Sequence, residues 1–350
     1  MPKLTMCCLF GGMSPEHEIS LLSAGAIIAN TPTEYEVLPI GITRTGEWFL
    51  YTGATENISA DTWHKDTANC HHAFFAPKKL CVQQGEQMEF RHVDVVFPAM
   101  HGAYGEDGRI AGMLEAYGIP FVGSGCAAGV VCMDKARTKL IVAQAGIPQA
   151  DYIQLEEGEP WTAGELDRRI AASFGYPVFV KPASTGSSVG VSKAKSRDDL
   201  AAAVENATIH GGRVLIERAI VGREIEVSVL GNASPVASVC GEIKPGAEFY
   251  CYDNKYNDDT ATYYIPADIS PKCADKVREY ALIIFAKLGC RGLARVDFFV
   301  TPDEEIYFNE INTMPGFTPI SMYPKMLMHQ GMSYGDVVTK LLELGRDERG

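Results

Sequence analysis

The clearest pattern of hydrophobic and polar positions lies in residues 295–300, where every second residue is apolar. Val296 and Phe298 belong to the apolar series, and Arg295 and Asp297 lie between them. A period of two predicts a β-strand with one buried face and one polar face.

A polar loop at residues 302–305 separates this strand from a second one, predicted over residues 306–312. A loop of this length sets the cross-strand pairs: Thr301 with Ile306, Asp297 with Glu310, and Arg295 with Asn312. Directly opposed residues share one face, with Cβ atoms roughly 5 Å apart. Two facing carboxylates repel each other unless a proton or a cation lies between them. Their hard oxygen atoms favour magnesium, with substrate phosphates completing the coordination.

The alternative for this hairpin is an ordinary solvated face, because charge runs are usually exposed. The flanking residues 292–294 and 314–316 carry no charge, which indicates a packed element. The sequence therefore favours the magnesium site.

Several strands and helices are predicted before the hairpin. The apolar residues 3–10, a glycine pair and a short helical stretch predict the opening of an α/β unit. Residues 134–140 begin a helix, and residues 176–182 form a strand that contains Lys181 near its end. The glycine- and serine-rich loop 183–190 can fold its N–H groups over phosphates, although such loops are also ordinary turns.

Loops of two kinds complete the pattern. The polar and aromatic segment 247–262 is too long for a tight turn, which predicts a functional lid. Residues 44–91 are irregular and predict a short hairpin and a surface insertion of no clear chemistry. Residues 268–288 and 333–344 predict helices on either side of the hairpin.

Length and charge narrow the protein class. The 350 residues exceed the roughly 250–300 at which a single core stops growing, so two or three domains are expected. The net charge of −13 argues against a nucleic-acid partner. The sequence has no 18-residue apolar run that predicts a membrane span, and no signal pattern at its start, so a cytoplasmic protein is expected.

Several familiar motifs are weak or missing. The ten cysteines form no C-x-x-C pair, so buried free thiols are expected. Cys70-His71-His72 lacks a fourth ligand at zinc-finger spacing. The glycines of residues 123–129 are spaced one residue too far apart for a dinucleotide fingerprint, which favours a turn between domains.

The order of these features resembles the ATP-grasp family and, within it, the D-alanine:D-alanine ligases. The resemblance covers essentially the whole chain except residues 44–91, which only the longer members have. Five stretches carry it: residues 11–20 (GGMSPEHEIS), 101–108 (HGAYGEDG), 133–135 (MDK), 181–190 (KPASTGSSVG) and 310–316 (EINTMPG).

This resemblance implies an α/β protein with the ATP-grasp fold, in which two α+β domains enclose ATP behind a Rossmann-like domain. The implied domains are residues 1–123 for the substrate, 124–220 for the central ATP-grasp unit, and 221–350 with the magnesium site and lid. The implied reaction joins two D-alanines through an acyl phosphate for peptidoglycan synthesis. A cytoplasmic homodimer is implied, without nucleic-acid or membrane partners.

The resemblance also implies roles for single residues. ATP contacts fall on Lys135, Lys181, Ser188, Glu217, Ala219, Ile220, Glu224 and Lys255. Two Mg²⁺ (or Mn²⁺) ions fall on Asp297, Glu310 and Asn312, with Glu310 bridging them. The residues implied to contact the reacting groups are Glu16, Ser187, Tyr256, Arg295 and Gly316, the last through its N–H. The residues implied to bind the second D-alanine are His101, Ser321 and Met322.

Other functions stay open from sequence alone. Relatives that make D-alanine:D-lactate lack the tyrosine present here as Tyr256, and D-serine ligases tend to carry arginine at the position of Met322. Both residues favour D-alanine at both sites. The alternatives are a D-alanine:D-serine ligase, another ATP-grasp carboxylate–amine ligase, an inactive nucleotide-binding protein and a dinucleotide-dependent oxidoreductase.

Overall fold

Three β-sheets flanked by helices make up the protein, which is described here from a computed structural model covering residues 3–186, 188–244 and 262–347. Three of the predicted site residues, Ser187, Lys255 and Tyr256, lie outside these described residues. Within the described residues, no helix is both long and apolar enough to cross a membrane. The cysteines described are all free thiols, and most of them are buried.

The first sheet has seven strands in the order β6-β5-β4-β3-β2-β1-β7. Its strands are β1 Leu4–Gly11, β2 Tyr35–Ile42, β3 Trp48–Tyr51, β4 Cys70–Ala76, β5 Lys79–Gln84, β6 Gln87–His92 and β7 Val95–Pro98. The associated helices are α1 His17–Ala29, α2 Glu56–Ser59 and α3 Arg109–Ala116. Strand β1 pairs in parallel with β2 and β7, as the opening α/β unit predicts.

Residues 44–91 are more than the short hairpin and surface insertion that their irregular sequence predicts. They add four antiparallel strands to the first sheet. Trp63 is fully buried and packs edge-on against Phe10 of the central strand, with ring centroids 5.2 Å apart. The prediction was wrong because the segment's apolar residues are spread over short strands whose pattern is too brief to recognise.

The second sheet has four antiparallel strands in the order β10-β9-β11-β8. They are β8 Tyr152–Leu155, β9 Val178–Pro182, β10 Ser192–Ala194 and β11 Val214–Arg218. Its helices are α4 Cys126–Met133, α5 Lys135–Gln144, α6 Ala163–Ser173 and α7 Arg197–Gly211. Asp134 caps α5 by accepting the N–H groups of Ala136 and Arg137, so Lys135 lies at the first position of the helix.

The third sheet has five antiparallel strands in the order β14-β13-β12-β15-β16. They are β12 Arg223–Gly231, β13 Val236–Lys244, β14 Thr262–Tyr264, β15 Gly292–Val300 and β16 Ile306–Asn312. Its helices are α8 Pro271–Lys287, α9 Met322–Met328 and α10 Tyr334–Arg346. Leu341 and Leu342 of α10 share one hydrophobic core with Phe10 and Phe97 of the first sheet, which joins the two ends of the chain.

The predicted pairing of the β15–β16 hairpin is confirmed at its functional end and wrong near its turn. Asp297 pairs with Glu310, and Arg295 pairs with Asn312. Ile306 pairs with Val300 instead of Thr301, because a bulge follows Asp297 and shifts the register by one residue. Bulges of this kind are common beside active sites, where they redirect side chains.

Candidate active site

A cavity of about 1250 Å³ opens between the three sheets. It is lined by every predicted site residue that the structure describes: Glu16, His101, Lys135, Lys181, Ser188, Glu217, Ala219, Ile220, Glu224, Arg295, Asp297, Glu310, Asn312, Gly316, Ser321 and Met322. Residues more than 300 positions apart in sequence therefore meet in one space. A single cavity with converging charged groups is the usual form of a ligand site.

The hairpin supplies a cluster of one arginine and several carboxylates. Arg295 binds Asp297 through two hydrogen bonds, with Nε and Nη2 each 2.8 Å from a carboxylate oxygen. The Nε atom also lies 3.2 Å from Oε1 of Glu226 on the neighbouring strand β12. All three residues are largely buried. A bidentate arginine–carboxylate pair fixes both side chains in one orientation.

The donor set on this hairpin fits a magnesium ion. Asn312 Nδ2 donates to Oδ2 of Asp297 at 3.0 Å, so Asp297 accepts three hydrogen bonds from the described residues. A carboxylate has about four lone-pair positions, which leaves Asp297 able to bind a cation as well. No three His, Cys, Asp or Glu residues cluster as a metal site in the described part of the chain. Two carboxylates and one amide nevertheless suffice for magnesium when phosphates supply further oxygens.

A second charged cluster lies on β9, β11 and α5. Glu217 binds two lysines, with Oε2 at 2.8 Å from Lys181 Nζ and Oε1 at 3.3 Å from Lys139 Nζ. Burial alone would raise the pKa of Glu217, but the charges of Lys139 and Lys181 hold it at about 2. Lys135, also at this end, donates from Nζ to the Thr185 carbonyl at 2.6 Å, which links α5 to the glycine-serine loop.

Glu16 is buried where the first sheet meets the glycine-serine loop. Gly102 has a φ of +67°, and a Cβ atom there would lie 2.2 Å from Oε2 of Glu16. Gly186 of the glycine-serine loop approaches the same oxygen, since a Cβ atom on it would lie 3.7 Å away. Only glycine at position 102 lets the backbone pass this close to the carboxylate.

His101 connects the first sheet to the loop that follows the hairpin. Its Nδ1 lies 2.9 Å from the Met314 carbonyl oxygen, and its Nε2 lies 2.8 Å from Ser23 Oγ. A carbonyl only accepts hydrogen bonds, so Nδ1 carries the proton. Burial lowers the pKa of His101, which favours the neutral ring with Nε2 accepting from Ser23.

Glu106 reinforces the same connection. Its carboxyl group accepts the Gly102 N–H at 2.9 Å and the Met314 N–H at 3.4 Å. Burial first, and then the charge of Glu16, raise the pKa of Glu106 to about 8. The group is therefore largely protonated at neutral pH, although it lies in a cavity that also contains Arg295.

Ser321 and Gly316 lie together at the start of α9. Ser321 Oγ accepts the Thr318 N–H at 3.1 Å and lies 2.8 Å from Thr318 Oγ1. A Cβ atom on Gly316 would lie 2.9 Å from Ser321 Oγ, so the backbone at Gly316 passes close to this hydroxyl. Met322 follows as the first residue of α9 and is buried.

Two family models match the chain along most of its length. One, described as D-ala D-ala ligase N-terminus, covers residues 5–124. The other, described as D-ala D-ala ligase C-terminus, covers residues 141–343.

The chain belongs to the D-alanine–D-alanine ligase family.

Curated ligases of this family are similar to the chain over nearly its whole length. The D-alanine–D-alanine ligase of Caldicellulosiruptor bescii is 45% identical over 348 residues, which cover 98% of this chain and 95% of the relative. The D-alanine–D-alanine ligase of Clostridium novyi is also 45% identical, and the match covers 98% of each chain. The family membership predicted from the motifs is confirmed.

Solved structures of ligases share the fold. The VanG D-Ala:D-Ser ligase of Enterococcus faecalis matches with a TM-score of 0.90 and 37% identity, covering 98% of this chain and 99% of that one. The D-alanine–D-alanine ligase of Coxiella burnetii matches with a TM-score of 0.88 and 34% identity, covering 99% and 95%. The predicted α/β ATP-grasp fold is confirmed, whereas the domain boundaries at residues 123 and 220 stay predictions.

Sequence reasoning missed two charged residues that line this cavity and one that lies behind its lining. Glu106 lies inside the quoted motif of residues 101–108, so its position carried a signal that was not used. Glu226 occupies an alternating strand and pairs directly with Asp297, which only the strand order shows. Lys139 offered no signal, because a lysine in the helix that follows Asp134 is typically exposed to solvent.

Proposed function

We propose that the protein ligates two D-alanines to D-alanyl-D-alanine at this cavity, with ATP as the energy source. The observation that carries the proposal is the pair of opposed charge clusters, which would hold ATP phosphates and magnesium side by side. Lys181 and Glu310 line the same cavity. Burial lowers the pKa of Lys181, but the charges of Glu217 and Glu310 outweigh it, so the pKa is raised. Phosphoryl transfer depends chiefly on such positioning and charge.

The nucleotide would lie along the second sheet. Lys135, Lys181 and the loop N–H group at Ser188 would hold the phosphates. Glu217, Ala219 and Ile220 would border the adenine, and Glu224 would hold the ribose hydroxyls. Lys255 is proposed to reach the transferred phosphate from the segment that follows β13. The lining of the cavity supports these roles for the described residues.

Asp297, Glu310 and Asn312 would hold two Mg²⁺ (or Mn²⁺) ions, with Glu310 shared between them. When bound, such ions neutralise the charge on the phosphates and orient the transferred group. The chain's own part is to hold these three side chains in place through the register of β15 and β16 and through Arg295.

The reaction would proceed in two steps. A carboxylate oxygen of the first D-alanine attacks the γ-phosphorus of ATP, which releases ADP and leaves an acyl phosphate. The amine of the second D-alanine then attacks the acyl carbon and forms a tetrahedral intermediate. This intermediate loses the amine proton to solvent and breaks its C–O bond to release phosphate, which leaves the dipeptide. Arg295 and the Gly316 N–H would stabilise the negative oxygen of this intermediate, an effect worth roughly 3–4 kcal/mol for each such donor.

The amino acids would be held by groups on the other walls of the cavity. Glu16 would pair with the ammonium of the first D-alanine, and Ser187 and Tyr256 would join it to close the site. Ser321 and Met322 would receive the carboxylate of the second D-alanine, with His101 beside its path. His101 is neutral and fixed by two hydrogen bonds, which suits a wall residue better than a proton carrier.

A second candidate is ligation of D-alanine to D-serine. It is favoured by the similarity to the VanG D-Ala:D-Ser ligase. Met322, where D-serine ligases tend to carry arginine, supports D-alanine instead.

We also propose that the enzyme acts in the cytoplasm as a homodimer, in keeping with other ligases of this kind.

The deciding experiment measures ADP release from ATP and Mg²⁺ in the presence of D-alanine, D-serine or D-lactate. Strong stimulation by D-alanine alone, with D-alanyl-D-alanine as the product, is expected. A faster mixed reaction when D-serine is added to limiting D-alanine would favour the second candidate. ADP release that is indifferent to every D-amino acid would contradict both.

A further inference from the structure

Lys139 is a buried lysine to which the proposed mechanism gives no part. It lies on α5 with its side chain only 2% exposed, and its Nζ is 3.3 Å from Oε1 of Glu217. Glu217 and Lys181 line the cavity, whereas Lys139 is not among the lining residues. Fully buried lysines are rare and need a partner, so this one calls for an explanation.

Neighbouring residues contact both the backbone and the side chain of Lys139. The Gln149 side-chain amide donates to the Lys139 carbonyl at 2.8 Å, and the Lys139 ammonium lies 5.3 Å from the centre of the Tyr152 ring. Burial lowers the pKa of Lys139, and Glu217 opposes this by raising it. Since the pKa of Glu217 is only about 2, its carboxylate is ionised at neutral pH and binds a lysine on each oxygen.

The charge balance of this triad bears on phosphate binding. A lone Glu217–Lys181 pair would be neutral, and Lys181 would have little charge left for an anion. With Lys139 on the far oxygen, the triad carries one net positive charge, directed toward the cavity through Lys181. Glu217 is also fixed from both sides, so Lys181 is held at 2.8 Å in one orientation.

Helix α5 contributes two lysines to the anion site, one that lines the cavity and one behind it. Lys135 at the first position of α5 lines the cavity, and Lys139 follows it by four residues on the same face of the helix. A shift of α5 would move both lysines together. The N-cap hydrogen bonds of Asp134 anchor this end of the helix.

We propose that Lys139 is a positioning residue for the nucleotide triphosphate: it binds Glu217 from behind, which orients Lys181 and keeps a net positive charge at the phosphate end of the cavity. This inference rests on the proposed function only in taking ATP as the anion.

The test compares Lys139→Met, Lys139→Gln and Lys139→Arg with the wild-type protein. Affinity for MgATP is measured by calorimetry without D-alanine, and KM and kcat are measured with it. The Met and Gln variants are expected to bind MgATP roughly tenfold more weakly, and their KM for ATP is expected to rise by a similar factor, within the range for residues that share one ion-pair network. KM for D-alanine is expected to stay unchanged, and Lys139→Arg is expected to recover most of the affinity.

A double-mutant cycle separates positioning from mere structural support. In a Glu217→Gln background, Lys139→Met is expected to change MgATP affinity by less than about threefold, because its effect passes through Glu217. Lys340→Met, which removes a half-exposed lysine on α10, is the matched control. Melting temperatures confirm that each variant is folded, and Lys139→Gln replaces Lys139→Met if the latter is not.

The outcomes are distinct for the two proposals. MgATP affinity within twofold of wild type in both Lys139→Met and Lys139→Gln would overturn the role of Lys139. Equal losses in the wild-type and Glu217→Gln backgrounds would overturn it as well. A wild-type protein that binds MgATP without ligating D-alanine would refute the proposed reaction, while the calorimetry still decides the role of Lys139. No MgATP binding by the wild-type protein would overturn both.

Discussion

Two charged clusters border the same cavity and differ in sign. On β9, β11 and α5, two lysines surround Glu217, so that cluster is net positive. On the hairpin and β12, Arg295 is outnumbered by Asp297, Glu226 and Glu310, so that cluster is net negative. The first suits phosphate oxygens and the second suits cations. Their proximity allows one polyphosphate with its magnesium to satisfy both.

Two glutamates that line the cavity, Glu217 and Glu106, show how neighbouring groups decide the charge of a side chain. The pKa of Glu217 is held at about 2 because two lysines outweigh its burial. The pKa of Glu106 rises to about 8 because the raising effects of burial and of the Glu16 charge outweigh the lowering effect of the hydrogen bonds that it accepts from backbone N–H groups. The same side chain is therefore an anion in one place and largely a neutral acid in the other.

The largest effect is expected on the negative side. Glu310→Gln keeps the shape of the side chain but removes the charge that cations require, so kcat is expected to fall roughly a thousandfold or more. Steady-state ADP release with D-alanine measures this change, and circular dichroism checks that the fold survives. Glu305→Gln, at an exposed position before the same strand, is the control and should leave the rate unchanged. Near-normal turnover by Glu310→Gln would remove the metal-site argument.

A smaller effect is expected on the positive side. Lys181→Met removes the lysine that we propose binds the phosphates and leaves Glu217 with Lys139 alone. KM for ATP is expected to rise by roughly 10- to 100-fold, because a charge-assisted contact to phosphate is lost. Substrate-saturation kinetics in ATP and in D-alanine measure this. A larger rise in the KM for D-alanine than in the KM for ATP would contradict the assignment of phosphate binding to the positive cluster.

How far the sequence predicts these clusters depends on the range of the contacts. The pairs Asp297–Glu310 and Arg295–Asn312 follow from a period of two and a short turn, which are local features. The bulge beside Asp297 does not, because one extra residue in β16 leaves no mark on the hydrophobic pattern. The overall fold was recognisable because specific motifs occur in family order, although the glycine-serine loop alone is weak evidence.

Long-range contacts were beyond such reasoning. The burial of Trp63 depends on Phe10, 53 positions away, and on Phe49 and Tyr51 of strand β3. Lys139 becomes a buried ion-pair partner only because α5 packs beside β11, which carries Glu217. Neither neighbour can be inferred from local spacing, since pairing and packing partners are set by the tertiary fold.

The smallest effect concerns the proton on Glu106. Its pKa is raised from an ordinary 4.5 to about 8, so the folded state keeps a proton that the unfolded chain loses. The stability that this proton contributes is present below about pH 4.5 and is lost as the pH rises through about 8. Between about pH 6 and pH 8, the loss is expected to be about 2 kcal/mol, or a few degrees in melting temperature.

Thermal melting of wild type and Glu106→Gln across this pH range measures the difference. The variant has no proton to lose, so its melting temperature is expected to fall less than that of the wild type. Glu205→Gln, on the exposed face of α7, is the control and should follow the wild type. Parallel curves for wild type and Glu106→Gln would contradict the opposite protonation of the two glutamates.

Transfer of oxygen tests most directly whether both clusters act on one acyl phosphate. D-alanine labelled with ¹⁸O in its carboxylate is incubated with the enzyme, ATP and Mg²⁺, and the released phosphate is examined by mass spectrometry. One labelled oxygen is expected to pass from D-alanine to phosphate in each turnover. Phosphate without label, accompanied by D-alanyl-D-alanine formation, would contradict it.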